Sequence, residues 1–392
     1  MSKIGFKVDT LKNDVMEFNI QHCHSSLVNA IRRILLGEIQ MLAFGNDITV
    51  HENTCNLHNE MILLRLKLIP VMIQDLSFDL ESHYFQINVT NLKEEPIYVT
   101  SGDITCYMEK KQEDGTKIRQ DKPDSWIRKI FPADLSTGDF IPICLLDKGE
   151  KIHLTIKLSI GNGRENAQYS PVCKAVFTNV VDKMLAADAL KEKLEKLGKC
   201  SSEEIENKKA HFKNYQIERY YQKDEKGLPN NFQFSLESIG IYSPVYLVGE
   251  SLRIMLKKFR RCRELLEGQG SGLEIEKADC VMDAYDFIFT NEHHTLGNIL
   301  SNYLTRYFID IDTPTLTYAA YNCPHPLQKK MKLRISACNN LSDYTETQHR
   351  SYIIDHLFKC LSSLTEDLIH VHKKLYKDTK TDEPSLGLRI VD

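Results

Sequence analysis

A ten-residue pattern occurs twice in this chain, 269 positions apart. The first copy is Ser26-Leu27-Val28-Asn29-Ala30-Ile31-Arg32-Arg33-Ile34-Leu35, and the second is Thr295-Leu296-Gly297-Asn298-Ile299-Leu300-Ser301-Asn302-Tyr303-Leu304. Each opens on a small hydroxyl residue, places Leu and Asn at the same steps, and spaces its apolar residues three to four apart, as one face of a helix requires. A short alternating stretch precedes each copy and reads as a strand; in the first it is Met16, Phe18 and Ile20. Two strand-then-helix units of one design imply an ancient dimer fused into a single polypeptide. The function is then expected in the surface that the two halves create together.

Composition adds bounds. With 392 residues, two to three domains are expected. Apolar residues at 42% and charged residues at 27% are usual for a globular chain. A net charge of −4 argues against a general nucleic-acid coat while leaving room for a local basic patch. No run approaches the roughly 18 unbroken apolar residues of a membrane span, and residues 1–12 have no h-region, so neither a membrane nor a signal peptide is expected. The eleven cysteines are scattered without a CxxC pair, the usage of a reducing compartment. An intracellular location follows.

The first repeated helix takes Ser25 or Ser26 as its N-cap. Its apolar stripe is Leu27, Ala30, Ile31, Ile34 and Leu35, with Asn29, Arg32 and Arg33 facing elsewhere. A strand over Ile48–Glu52 and a helix over Leu57–Leu68 follow, the latter limited by Pro70. These belong to a first unit assigned to 1–74 plus 228–267. Residues 75–181 change character: Phe85, Ile87 and Val89, then Ile152 through Ile160, alternate with polar residues. Turn clusters at 113–115 and 136–139 separate them, so a β-rich domain inserted into the first unit is expected. Residues 182–227 read as a charged helical excursion, with Leu190, Leu194 and Leu197 at helical spacing, Gly198 as a stop and a capping box at Ser201 and Glu204. Phe232, Phe234 and Leu236 return as a strand.

Two long helices close the halves. Val245, Val248, Leu252, Met255, Phe259, Cys262 and Leu266 step alternately by three and four, as do Ile354, Leu357, Leu361, Leu364, Leu368, Val371 and Leu375. Such a repeat keeps a seam facing a partner helix. Leu252, Met255 and Phe259 of one, with Leu361, Leu364 and Leu368 of the other, are its centre. A Gly-rich linker at 268–277 joins the first unit to a second, small one at 278–377. A loosely ordered tail follows at 378–392. The fold class is α+β.

Asn is a poor helix former, so Asn29 and Asn298 at the same step of two helices suggest a structural hydrogen bond near the pseudo-two-fold axis. Other constellations carry less. Asp310 and Asp312 fall in a turn. His293-His294 and His370/His372 lack a completing ligand cluster. Gly161 and Gly163 lack the third glycine of a dinucleotide site. Cys106 and Cys144 are too few for a metal site. No catalytic residue, cofactor or metal is expected. Lys257, Lys258, Arg260, Arg261 and Arg263 form a basic cluster, read first as a solvated face and second as a nucleic-acid contact.

Three blocks, Asn29–Leu36, Glu52–Glu60 and Arg65-Leu66-x-Leu68-Ile69-Pro70, resemble the alpha subunit of cellular RNA polymerases, in its archaeal and eukaryotic third-largest form. Gly161–Val172 is similar to that family's loop returning from the insertion, with Asn166, Gln168 and Tyr169 where the family has His, Lys and Trp. Glu292–Asn298 and Ala320–Leu327 resemble the small alpha-like partner subunit. Fusion of the two is similar to what large cytoplasmic DNA viruses of eukaryotes carry, which would imply the host cytoplasm and the virion.

The resemblance implies an assembly platform that recruits the second-largest and then the largest polymerase subunit. Small subunits would sit at the inserted domain, and DNA and RNA would be met only through the complex. The stripes Leu27, Ile31, Ile34, Leu35 and Leu296, Leu300, Leu304 would form the intramolecular dimerisation interface. Asn29, Arg32, Arg33 and Arg65 would dock a large subunit. The family holds its catalytic Mg²⁺ with a triple-Asp motif on the largest subunit, and none is found in this chain. The competing reading is a stand-alone nucleic-acid-binding transcription adaptor that kept the alpha fold.

Overall fold

A computed structural model describes residues 3–111, 117–196, 198, 201–280, 282–338 and 345–382. In chain order the elements are β1 (Gly5–Lys12), β2 (Val15–Gln21), α1 (Ser25–Gly37), β3 (Gln40–Asn53), α2 (Asn59–Lys67), β4 (His83–Thr90), β5 (Ile97–Thr100), β6 (Ile104–Lys111), β7 (Lys117–Asp121), α3 (Asp124–Ile130), β8 (Pro142–Leu146) and β9 (Lys151–Asn162). Then come β10 (Val172–Asn179), α4 (Lys183–Glu195), α5 (Ser202–Tyr215), β11 (Asn231–Ser238), α6 (Pro244–Leu266), β12 (Leu273–Lys277), β13 (Ala284–Thr290), α7 (His294–Leu304), β14 (Leu316–Asn322), β15 (Lys330–Ala337) and α8 (Glu346–Thr379). They fall into two compact units: Met1–Ile34 with Lys174–Glu237 and Pro244–Asp392, and Leu35–Cys173 with Ser238–Ser243.

The first unit holds the duplication. Its two four-stranded sheets run β1-β2-β11-β10 and β12-β13-β15-β14. Numbered within each half, both follow the order first, second, fourth, third strand. A short helix, α1 or α7, follows the second strand, and a long one, α6 or α8, follows the fourth. The register agrees as well: Phe18 of β2 faces Phe234 of β11, and Phe287, 269 residues on, faces Leu333 of β15. The Phe18 and Phe234 rings stack at 4.7 Å. Before each short helix one residue takes a left-handed backbone, His22 (φ 60°) and Asn291 (φ 64°). His and Asn tolerate that region better than bulkier residues. Each donates its N–H to the residue just before the fourth strand, His22 to Asn230 at 2.8 Å and Asn291 to Lys329 at 2.6 Å.

The two halves join mainly through their long helices. α8 lies against α6 and also against β1 of the first half. Gly249 of α6 faces Tyr376 of α8 so closely that a Cβ would stand 2.1 Å from its hydroxyl. At the other end the Arg263 guanidinium lies 5.6 Å from the Phe358 ring. Those two contacts make the pair antiparallel. Leu252, Met255, Phe259, Leu361, Leu364 and Leu368 are all buried, each contributing roughly 1.5–3 kcal/mol by leaving water. In α8 the buried position is Ile353 and Ile354 is half-buried. The covered stripe includes His349, His356, Cys360, His372 and Tyr376, wider than a strict two-position seam.

The excursion is a helical pair, α4 and α5, rooted where Val181 bridges Tyr221. Asp182 caps α4, and Ser201 with Glu204 forms the expected capping box on α5. Leu197 and the turn at 113–115 lie outside the described residues, as does the tail from 383. The joint expected at 268–277 contains an edge strand, β12, paired with β13 from Leu273↔Phe289 onward.

The second unit is β-rich: a five-stranded sheet β3-β9-β4-β6-β7, a two-stranded ribbon β5-β8, and the helices α2 and α3. Along β9, Ile152, Leu154, Ile156 and Leu158 face the core, where Phe44, Phe85 and Phe131 pack within 5.6–5.8 Å of one another. This unit begins at Leu35, whereas the sequence pattern placed the insertion from 75. The cause is β3, paired with β9 from Gln40↔Asn162 to Asn53↔Ile152. The returning loop is anchored by Tyr169, buried with its hydroxyl 2.6 Å from Ser159 Oγ. A Cβ at Gly161 would meet that ring at 2.6 Å.

Candidate docking surface of the fused pair

α1 and α7 meet at a polar junction. Between them lies a cavity of about 80 Å³ whose lining includes Ser26, Asn29, Arg33, Thr295, Asn298 and Tyr321. The two repeated Asn residues therefore come to one site. Asn29 Oδ1 accepts from Arg32 Nε at 3.0 Å and Nη2 at 2.9 Å. An arginine can only donate, so the Asn29 amide must turn its oxygen to Arg32 and its NH₂ away. Asn298 does the same on its own helix, its Oδ1 accepting from Asn302 Nδ2 at 2.8 Å. Each Asn thus makes a structural hydrogen bond, as expected, and each bond lies within its own helix beside the junction.

Arg33 crosses the junction, donating from Nε to Thr295 Oγ1 at 3.0 Å. No acidic residue lines the cavity. Among the described residues, neither Arg32 nor Arg33 has a carboxylate at ion-pair distance, though both guanidinium-bearing side chains are half-buried. The surface is thus rich in N–H donors and carries unneutralised positive charge. Such a surface suits a carboxylate or carbonyl group of another molecule.

A second cross-half contact lies nearby. The His24 N–H donates to the Tyr303 hydroxyl at 3.4 Å. Burial, with Cys23 and Tyr307 adjacent, holds the Tyr303 phenol well above its ordinary value, so it stays neutral. The cap of α1 also comes from His24, whose Nδ1 accepts from Ser26 N–H at 3.2 Å; neither Ser25 nor Ser26 caps the helix. Burial, then the Arg306 charge, lower the His24 pKa, which keeps Nδ1 an acceptor.

The stripes Leu27, Ile31, Ile34, Leu35, Leu296, Leu300 and Leu304 are all buried. α7 packs against β14, β15 and α8, all elements of its own half, and the contacts between α1 and α7 described above are polar. Between the halves, the long helix α8 lies against α6 and β1.

Arg65 stands in the other unit, exposed on α2, with Nη2 donating to Pro142 O at 2.8 Å. Beside it Met61, Leu64 and Leu68 are 53%, 59% and 69% exposed. Sequence reasoning missed this bare apolar row. Its signal was present: α2 carries more apolar residues than one buried face can use, and only Ile62 and Leu66 are buried.

In the basic cluster Lys258 pairs with Glu292 at 3.2 Å and Arg263 with Glu267 at 3.5 Å. Lys257, Arg260 and Arg261 remain exposed. Among the described residues no group of three or more His, Cys, Asp or Glu could hold a metal ion, and no helix is long and apolar enough to cross a membrane.

Comparison with known proteins identifies both halves. The RNA polymerase Rpb3/Rpb11 dimerisation domain matches residues 17–259 and again residues 284–374. A conjugation stage-specific protein of Tetrahymena thermophila is 32% identical over 191 residues, 45% of this chain and 60% of that protein. The mouse DNA-directed RNA polymerases I and III subunit RPAC1 is 26% identical over 297 residues, 67% of this chain and 85% of its own length. The DNA-directed RNA polymerase subunit Rpo3 of Pyrococcus furiosus is 26% identical over 275 residues, 67% of this chain and 96% of its own. All three come from cellular organisms, so the viral parallel rests on the sequence resemblance alone.

Proposed function

Because this chain belongs to the RNA polymerase Rpb3/Rpb11 dimerisation family and carries that domain twice, we propose that it is the assembly-platform subunit of a multisubunit DNA-directed RNA polymerase. It holds the second-largest and largest subunits and leaves the nucleotidyl-transfer site to them. The observation that carries this reading is the polar junction of α1 and α7. There Arg32 and Arg33 stand half-buried without a carboxylate, beside two oriented Asn amides. An acidic or carbonyl-rich segment of a large subunit would neutralise them. Arg65 and the exposed row Met61, Leu64 and Leu68 offer a separate docking surface on the β-rich unit.

Fusion alters the assembly arithmetic. Relatives named as separate subunits must find a partner chain, whereas here the second half is tethered to the first, at an effective concentration on the order of millimolar. The platform should therefore survive dilution that would separate two chains.

The test is affinity purification of the tagged protein from its native source, with mass-spectrometric identification of co-purifying chains and a transcription assay. Stoichiometric recovery of two large chains with template-dependent RNA synthesis supports the platform. Recovery of the protein alone, or with nucleic acid only, contradicts it and favours the adaptor reading through Lys257, Arg260 and Arg261.

A further inference from the structure

The outer face of the five-stranded sheet carries a hydrogen-bonded belt that the docking surfaces leave unused. Along β9, Ile152, Leu154 and Ile156 are buried in the core, which turns His153, Thr155 and Lys157 to the other side. On β4 the same alternation, with Phe85 and Ile87 buried, turns Tyr84, Gln86 and Asn88 outward. Gln86 serves two neighbours at once. Its Oε1 accepts from Arg119 Nη2 of β7 at 3.3 Å, and its Nε2 lies 2.6 Å from His153 Nε2. An arginine can only donate, so the amide oxygen belongs to Arg119 and the NH₂ donates to His153. His153 Nε2 is therefore the accepting nitrogen, and the imidazole is neutral with its proton on Nδ1. Arg119 reaches Gln86 across β6, lying 4.0 Å from the centre of the Tyr107 ring and pairing with Asp121 at 2.8 Å.

The groups around His153 oppose a charge on it. His51 of β3 stacks on its ring with centroids 4.4 Å apart, and His51 Nε2 lies 3.0 Å from Thr155 Oγ1. Glu52, opposite His153 in register, is taken by Lys151 at 2.8 Å. Asn88, opposite on β4, is uncharged. Lys157, further along β9, lies over the Tyr84 ring at 4.6 Å. Burial, then His51 and Lys151, hold the His153 pKa below its ordinary value, with Glu52 acting the other way.

We propose that His153 is a pH-operated latch on the edge strand β7: a proton taken up at Nε2 turns Gln86 round and releases Arg119. The protonated ring presents an N–H where it had presented a lone pair, so two donors meet at the Gln86 contact. Half a turn of the amide offers His153 the oxygen and points the NH₂ at Arg119, where two donors now meet instead. One amide cannot serve both cations. Arg119 gives way, because Asp121 and the Tyr107 ring still hold it. The link from β7 across β6 to β4 is thus closed while the imidazole is neutral and open once it is charged. In acid the outer face gains an imidazolium and a set of freed N–H donors.

The test is an NMR titration of the full-length chain from about pH 8 to about pH 4. It follows the His153 ring nitrogens, assigned by their loss in His153→Phe, with the Gln86 side-chain amide and the Arg119 guanidinium. At the alkaline end His153 Nε2 should appear as the unprotonated ring nitrogen. All three signals should then move together, with one midpoint below the ordinary histidine value of about 6.5. In Gln86→Glu a carboxylate can accept from both neighbours, so the His153 midpoint should rise and Arg119 should no longer follow it. The proposal is overturned if Arg119 stays still while wild-type His153 titrates, or if Nε2 carries the proton at the alkaline end. An unchanged His153 midpoint in folded Gln86→Glu overturns it equally.

Discussion

The first and second copies of the repeated unit share a backbone down to the left-handed residue before each short helix, yet they use their polar side chains differently. On α1, Arg32 and Arg33 each make a bond and keep further N–H groups and a full charge in hand. On α7 the residues at the same steps are satisfied at home: Ser301 donates to Ala319 O at 3.0 Å and Asn302 to Asn298. The sheets behind them diverge likewise. Glu17 of β2 faces Ser235, whereas Asp286, 269 residues on, faces Arg334 and binds it through two hydrogen bonds of 2.7 and 2.8 Å. Duplication fixes the strand order, register and helix placement. What has diverged is where charge is neutralised, internally in the second half and not internally on α1. Under the function proposed above, that asymmetry would make the first copy the one that meets an outside partner.

The largest expected effect tests the equivalence itself. Leu27→Asp and Leu296→Asp, at the same step of the two helices, each place an unpaired charge at a position 1% exposed, at a cost of about 3–5 kcal/mol. Urea unfolding should show both variants destabilised to a similar degree. A large loss in one and tolerance in the other would break the equivalence of the two helices.

A smaller effect should separate the copies. Where α1 carries the fully buried Val28, α7 carries Gly297, and a Cβ there would lie 2.5 Å from the Tyr321 ring. Gly297→Val should cost about 1–3 kcal/mol by overpacking, measured by the same melts. If Gly297→Val is neutral, the tighter approach of α7 to its sheet is not a real constraint.

Smaller again is a pH-dependent term confined to the second sheet. Hydrogen bonding to Arg334, helped by Lys332, holds the Asp286 carboxyl below its ordinary value. A carboxylate depressed in the folded state adds stability that is complete above its unfolded pKa of about 3.9 and is lost as pH falls through the lower folded value. Asp286→Asn should therefore cost roughly 1–2 kcal/mol at neutral pH, discounted because both cations are partly exposed. That gap to wild type should narrow only below about pH 4. Glu17→Gln in the first sheet should show no matching trend. A gap for Asp286→Asn that stays constant to pH 2 would mean that the ion pair is not its source.

The sequence made some of this legible for physical reasons that also mark its limit. Strict alternation in β9 and the three-four stepping of the long helices are local signals, and burial follows them closely. β1 and β12 gave no such signal, since each is an edge strand with few buried positions: Phe6 is the buried residue in β1, and β12 has none. β3 was legible in part as a strand, but its pairing with β9 depends on residues about a hundred positions away. The His24 cap was missed because an imidazole is a less usual cap than the serines beside it. Arg32 and Arg33 stood out by resemblance. The donor-lined cavity did not, because it exists only when α7 is brought opposite α1.

The most direct test of the central claim is recovery of the two large chains with tagged wild-type protein and with Arg32→Glu/Arg33→Glu, beside a thermal melt of each. Among the described residues neither arginine is in an ion pair, but the reversal gives up the Arg32–Asn29 and Arg33–Thr295 hydrogen bonds. The melt should therefore fall by about 1–3 kcal/mol and stay cooperative, while recovery of the large chains collapses. Full recovery of both large chains with the doubly reversed protein would contradict the account and place the docking surface elsewhere.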